Sequence, residues 1–143
     1  FGNGGSAADA QHISAEIIGR YFLERRSLPA IALTTDSSAL TAIGNDYGFE
    51  NIFSRQIEGI ANQGDLAVGI STSGNSKNVL KGLKQAKINK CTTLSLTGNS
   101  GGKLKNISDH SIIIDSSNTA RIQECHILIG HILCLFIDKN LNI

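Results

Sequence analysis

The chain has 143 residues, of which 41% are hydrophobic and 17% charged, with a formal net charge of +1. That length suits one domain with a real core. The balanced charge excludes an electrostatic case for nucleic acid. No apolar run is expected to cross a bilayer, and no secretory leader is expected at the start.

The chain contains no Met and begins Phe1-Gly2-Asn3-Gly4-Gly5-Ser6. This opening reads as the end of a strand entering a Gly-rich turn. The reading therefore expects a preceding helical segment and the body of a first strand. Ser6 to Arg25 follows as a helix whose one internal breaker is Gly19. Pro29–Thr35, Asp65–Ser71, Cys91–Thr97 and His110–Asp115 are short β-rich runs. Near-continuous apolar strands point to burial on both faces, as in a parallel sheet. Helical spacing recurs in Glu50–Ala61 through Ile52, Phe53, Ile57 and Ile60, and in Ser76–Ile88 through Val79, Leu80 and Leu83. The last helix is expected over Thr119–Lys139, with Ile122, Ile129, Leu133 and Phe136 on one side. It is apolar enough to face a partner subunit as well. The alternation predicts a doubly wound α/β fold, a three-layer sandwich around a five-stranded parallel sheet. Ligands in such folds bind at the carboxyl ends of the strands.

Two strand-to-helix loops carry chemistry. In Gly2–Ser6 the glycines let backbone approach an anion, and the helix N-terminus points N–H groups at it. A tight turn with a Ser cap explains the same residues. Ser71-Thr72-Ser73-Gly74-Asn75-Ser76 holds four hydroxyls in six residues, more than helix capping needs. Hydroxyls and backbone N–H groups can wrap a phosphate without a cation. With no Lys and no Walker pattern, a magnesium nucleotide is not expected. Thr97–Gly102 reads as a plain turn and helix start. Cys91, Cys125 and Cys134 show no C-x-x-C spacing, so disulfides and Cys-based zinc sites are not expected.

His12 and Glu16 share a face of the first helix, and Gln123 and His131 lie two turns apart on the last. A Glu and a His flanking a sugar can shuttle a proton between adjacent carbons. The four side chains also suit a divalent metal, zinc above all. A surface His–Glu pair and a satisfied core histidine would look the same at this point. His110 and His126 receive no role.

Taken together, Gly2–Arg20, Leu28–Gln56, Gly64–Leu80 and Thr119–Cys134 resemble the phosphoheptose isomerases, within the sugar isomerase (SIS) domain superfamily. The resemblance implies one flavodoxin-like SIS domain over residues 1–143. It implies an aldose–ketose isomerase that converts sedoheptulose 7-phosphate to D-glycero-D-manno-heptose 7-phosphate through an enediol, in the cytoplasm, for the heptoses of lipopolysaccharide core or capsule. By resemblance Glu16 is the general base and His131 the general acid. His12, Glu16, Gln123 and His131 match zinc ligands. Asn3, Gly4, Gly5, Glu16, Asn45, Asp46, Ser71, Thr72, Ser73, Ser76 and Gln123 match substrate-binding positions. A homotetramer with shared active sites is implied, with no nucleic acid or membrane partner. The competing reading is a non-catalytic SIS protein that binds a phosphosugar or the bacterial replication initiator. A phosphosugar sensor for a DNA-binding region, or an isomerase of another phosphosugar, are further alternatives.

Overall fold

The computed structural model describes residues 1–140. Its helices are α1 (Gly5–Ile18), α2 (Ser37–Tyr47), α3 (Ser54–Ile60), α4 (Lys77–Ile88), α5 (Leu104–Ile107) and α6 (Thr119–Asn140), and a 3-10 turn spans Phe49–Asn51. The strands β1 (Leu66–Ser71), β2 (Thr92–Gly98) and β3 (His110–Ile114) form a parallel sheet in the order β1-β2-β3. Leu66 pairs with Thr92 and Leu94 with His110.

Both faces of the sheet are covered. Val68 and Ile70 of β1 and Leu94 and Leu96 of β2 face Ala10 and Ile13 of α1 and Ile129 and Leu133 of α6. On the other face Ala67 joins Val79, Leu83 and Ala86 of α4, with Phe53 and Ile57. Gly69 is the contact point there, because an added Cβ would lie 2.8 Å from Leu83 Cδ1. The result is helix, sheet and helix in three layers, which places every strand's carboxyl end on one rim.

Of the five expected strands, three form ladders among the described residues. Gly2 makes a single parallel bridge to Ile70, with Ile70 N–H donating to the Phe1 carbonyl at 2.9 Å. Pro29–Thr35 forms no strand among the described residues: it is unpaired and runs into a turn at Leu33–Thr34. It is held by side chains instead. Gln56 donates to the Leu33 carbonyl, and Gln11 to Thr34. Leu33 packs with Phe1 and Phe53, and Ala32 with Ile70.

The helix expectations need three corrections. The first helix ends at Ile18 rather than Arg25, since Gly19 takes φ −72°, ψ −99° and the chain turns away. Glu50–Ala61 divides into the 3-10 turn and α3, which leaves Ile60 46% exposed. α2 has no counterpart in the sequence reading. It starts on Asp36, whose carboxylate accepts from Ala39 N–H at 2.9 Å, and buries no residue fully.

α6 also revises a reading. Its 22 residues, with mean hydropathy 1.4 over the best window, are long and apolar enough to span a bilayer. One side of it is nevertheless committed to the domain, with Ile122, His126, Gly130, Cys134 and Asp138 buried at every fourth position. The three cysteines are free.

Candidate active site

The Gly2–Ile70 bridge sets the two predicted loops side by side. From Gly2 the chain turns into α1 on one face of the sheet, and from Ser71 into α4 on the other. This is a topological switch point, where open α/β sheets leave a crevice. A cleft of about 480 Å³ lies there, lined by Asn3, Phe49, Glu50, Ser76, Lys77 and Asn78.

The hydroxyl loop is drawn into a tight cluster. Ser71 Oγ lies 2.9 Å from Ser76 Oγ and 3.5 Å from Ser73 Oγ. Ser76 is the N-cap of α4, yet its hydroxyl does not cap the helix. It turns to Ser71, so the Lys77 and Asn78 N–H groups at the start of a 12-residue helix stay available to an anion, while Val79 N–H donates to Asn78 Oδ1 at 2.9 Å. Thr72 contributes its backbone carbonyl, which accepts from Gly98 N–H and the Asn99 amide. Thr97–Gly102 is therefore more than a turn. It buttresses the loop, with Leu104 N–H donating to the Gly74 carbonyl at 3.0 Å and Lys103 N–H to Asn75 Oδ1 at 3.1 Å.

Asn3 joins the two loops through a reciprocal amide pair with Asn78, at 2.9 and 2.7 Å. Sequence reasoning missed Asn78, although a carboxamide in the first turn after a hydroxyl loop is a detectable signal. It also missed Phe49 and Glu50. Lys81 donates to Glu50 at 2.5 Å, and that hydrogen bond lowers the Glu50 pKa, so a carboxylate borders the cleft. Gly4, with φ +56°, begins α1 without a side-chain cap, and nothing lies within 4 Å of where its Cβ would be. Asn45 and Asp46 do not line the cleft. They are exposed near the end of α2, with the Asn45 amide bonded to Asp46 at 2.8 Å.

The second cluster lies between α1 and α6. These helices run parallel, with Gly5 beside Gln123 and Ile13 beside Gly130. His12 Nε2 is 2.9 Å from His131 Nε2 and 3.3 Å from Glu16 Oε1. One ligand atom from each of the three residues falls within 4.8 Å of the others. Two imidazole nitrogens and a carboxylate oxygen converging on one point form a metal-binding donor set with room for a further ligand, so these residues fit a divalent cation. Tyr21, unforeseen in the sequence, stacks on the His131 ring at 5.5 Å. Gln123 is not in this group. Eight residues, about 12 Å of helix, separate it from His131, and its amide Nε2 would lie 2.6 Å from a Cβ at Gly5. His126 is fully buried, and its Nε2 lies 3.1 Å from the Thr97 carbonyl oxygen. Burial lowers its pKa.

A hydroxyl-rich anion loop at a switch point, with an acid–base and metal-type cluster on the neighbouring helices, defines a class of phosphosugar-handling α/β domains. A family model for the SIS domain matches residues 1–98. The chain is 62% identical over 139 residues to the phosphoheptose isomerase of a Nitratiruptor species, covering 97% of this chain and 74% of that protein. It is 60% identical over 139 residues to the phosphoheptose isomerase of Aquifex aeolicus, covering 97% and 73%. Among solved structures, a phosphoheptose isomerase from Francisella tularensis superposes with TM-score 0.93 at 42% identity, covering 97% of this chain and 74% of that one. The Neisseria gonorrhoeae phosphoheptose isomerase superposes with TM-score 0.91 at 50% identity, with the same coverage. The chain belongs to the phosphoheptose isomerase family of SIS-domain proteins.

Proposed function

We propose that this chain is the isomerase that interconverts sedoheptulose 7-phosphate and D-glycero-D-manno-heptose 7-phosphate, in the cytoplasm, supplying heptose for lipopolysaccharide core or capsule. The observation that carries the reading is the convergence of His12 and Glu16 with His131, which is 119 residues away from His12 in sequence. Ser71, Thr72, Ser73 and Ser76 hold the phosphate with the open N-terminus of α4. Asn3, Gly4 and Gly5 border the sugar, and Gln123 beside Gly5 meets its hydroxyls. Asn45 and Asp46 lie outside this chain's cleft, and their substrate-binding role rests on the family resemblance alone.

Glu16 takes the proton from C1 of the ketose, and His131 gives a proton to the C2 carbonyl oxygen. This forms the 1,2-enediol. The proton then returns to C2 while the O1 hydroxyl proton leaves, so that C1 becomes the aldehyde and no atom is gained or lost. His12, Glu16 and His131 would hold a zinc ion, which when bound supplies Lewis-acid polarisation of the carbonyl and hydroxyl.

Two spacings support a homotetramer with shared sites. Glu16 is eleven residues along α1 from Gly5, about 16 Å of helix, and Gln123 is two turns from His131. A neighbouring copy would bring one subunit's phosphate loop to another's Glu16 and His131. The outward stripe Leu128, Ile132 and Phe136 of α6, 42–61% exposed, suits such packing. Phe1–Gly2 and Pro29–Thr35 would complete a five-stranded sheet once paired along their length.

The test is turnover of sedoheptulose 7-phosphate by wild type and Glu16→Gln, each with and without zinc. Wild type forms the aldose phosphate. Glu16→Gln binds the sugar but loses at least about 100-fold in kcat, the low end for general-base removal. Phosphosugar binding without wild-type turnover would instead favour the non-catalytic SIS reading.

A further inference from the structure

The C-terminus of α1 carries Glu16 and leaves orphan carbonyls behind it. The last turn of α1 contains no basic residue. Arg25, seven residues beyond the helix, folds back to serve it. Its Nη2 donates to the Glu16 carbonyl at 3.0 Å and its Nη1 to the Ile17 carbonyl at 2.9 Å. Nη1 also reaches the Arg26 carbonyl at 3.1 Å.

The guanidinium is held from the other side by Asp138 of α6. Arg25 Nε donates to Asp138 Oδ1 at 2.6 Å, while Phe22 and Leu23 N–H donate to Oδ2 at 2.7 and 2.9 Å. The Arg25 side chain is 4% exposed and the Asp138 side chain fully enclosed. Asp138 lies two turns beyond His131 on the same helix. The pair thus ties together the two helices whose mutual register sets the 2.9 Å approach of His12 and His131.

We propose that Arg25 and Asp138 are positioning residues for the isomerisation site: their buried ion pair locks the Glu16 end of α1 to the His131 end of α6. The inference rests on the isomerase reading of His12, Glu16 and His131. It gives a buried charge pair a registry role, the use for which such pairs are best attested. Ordinary capping needs neither a buried carboxylate nor a partner on the helix that carries His131. The pair acts through the orientation of the donor set, as supporting residues around a metal site do.

The experiment compares the full chain with Arg25→Lys, Asp138→Asn and the control Ile57→Val. Ile57→Val trims the core under α3, on the opposite face of the sheet. Lys keeps the charge but cannot reach Asp138 and both carbonyls with a rigid fork. Asn keeps the shape and an acceptor for the N–H groups but removes the charge. Three readouts are taken: melting temperature, zinc affinity of the metal-stripped protein by chelator competition, and kcat and KM for sedoheptulose 7-phosphate.

Both pair variants are expected to lose about 10–100-fold in zinc affinity and in kcat. KM should hold within about threefold, because the phosphate loop is untouched. Ile57→Val lowers the melting temperature without either loss. Zinc affinity and kcat equal to those of Ile57→Val at matched melting temperature would overturn the inference, and if Arg25→Lys does not fold, Asp138→Asn decides. A wild type that neither binds zinc nor turns over the sugar overturns the underlying reading and this inference with it. A competent wild type with competent variants overturns the inference alone.

Discussion

Gly74→Ala tests whether the phosphate loop depends on its contact with the buttress behind it. Gly74 has φ +65°, a left-handed conformation that costs a residue with a Cβ about 1–2 kcal/mol. The new methyl would fall on the Gly101 carbonyl oxygen, with Gly101 C at 2.6 Å and Gly102 N at 2.9 Å. All of these are backbone atoms in a loop whose own glycines at 101 and 102 have positive φ, so no rotamer change relieves the overlap. Overpacking of this kind costs about 1–3 kcal/mol, and the total is about 2–5 kcal/mol, a large fraction of the roughly 5–15 kcal/mol that holds a domain together. The cheapest relief separates the two loops. That breaks the bond from Leu104 N–H to the Gly74 carbonyl and spreads the serines. Urea unfolding should therefore show a lower midpoint with an unchanged slope, and inhibition by inorganic phosphate should weaken in parallel. Gly59→Ala is the opposite control. Gly59 is helical, with open space at its Cβ position, and the substitution should stabilise by about 0.5–1 kcal/mol. A Gly74→Ala protein as stable as wild type, or destabilised with phosphate affinity intact, would refute the coupling of loop and buttress.

Two other outcomes are expected. Ser71→Ala combined with Ser73→Ala removes two hydroxyls from the anion cluster. At about 1.5–3 kcal/mol for each bond to a charged group, KM should rise by at least about tenfold with kcat largely kept, and unchanged KM would place the phosphate elsewhere. Asp138 has its pKa pulled down to about 2 by the Leu23 N–H, the Arg25 side chain and the Phe22 N–H. A depressed carboxylate contributes stability that is complete above its unfolded value near 3.8 and disappears as pH falls toward 2. Across that window wild type should lose melting temperature faster than Asp138→Asn, and parallel curves would mean the carboxylate contributes nothing.

Legibility in the sequence follows locality. The loop Ser71–Ser76 is readable because strand, hydroxyls, glycine and helix follow one another within a short stretch of chain. The His12–Glu16 pair is readable from helical spacing, and the role of His131 comes through the family resemblance, since no local pattern joins α1 to α6. α2 is hard to read because its apolar face is short, Leu40 and Ile43 only partly buried against the core, and its clearest local signal is the Asp36 cap. Pro29–Thr35 has strand composition, but a strand is a pairing relation and composition cannot supply the neighbour. Gln123 shows the same limit from the other direction. Eight residues along a helix leave two side chains on neighbouring faces, yet they also carry them about 12 Å apart along the axis, and the structure places Gln123 at the Gly5 end of α1 rather than with His131.

α6 shows how far composition alone can mislead about environment. A mean hydropathy of 1.4 suits a bilayer, but the buried line from Ile122 to Asp138 includes a histidine and a carboxylate. Asp138 is matched inside the domain by Arg25 and two backbone N–H groups, and His126 Nε2 lies against a β2 carbonyl while its buried Nδ1 has no partner among the described residues. Phe136, expected on one side with Ile122, Ile129 and Leu133, instead points outward at 61% exposure, in line with Leu128 and Ile132. The helix is thus apolar on two opposite sides. The inner side carries polar residues whose partners exist only in this fold, and the outer side carries aliphatic and aromatic residues with no polar demand. His131 sits half-buried at the seam between them, where a group can be fixed by its own domain and still be reached from outside it.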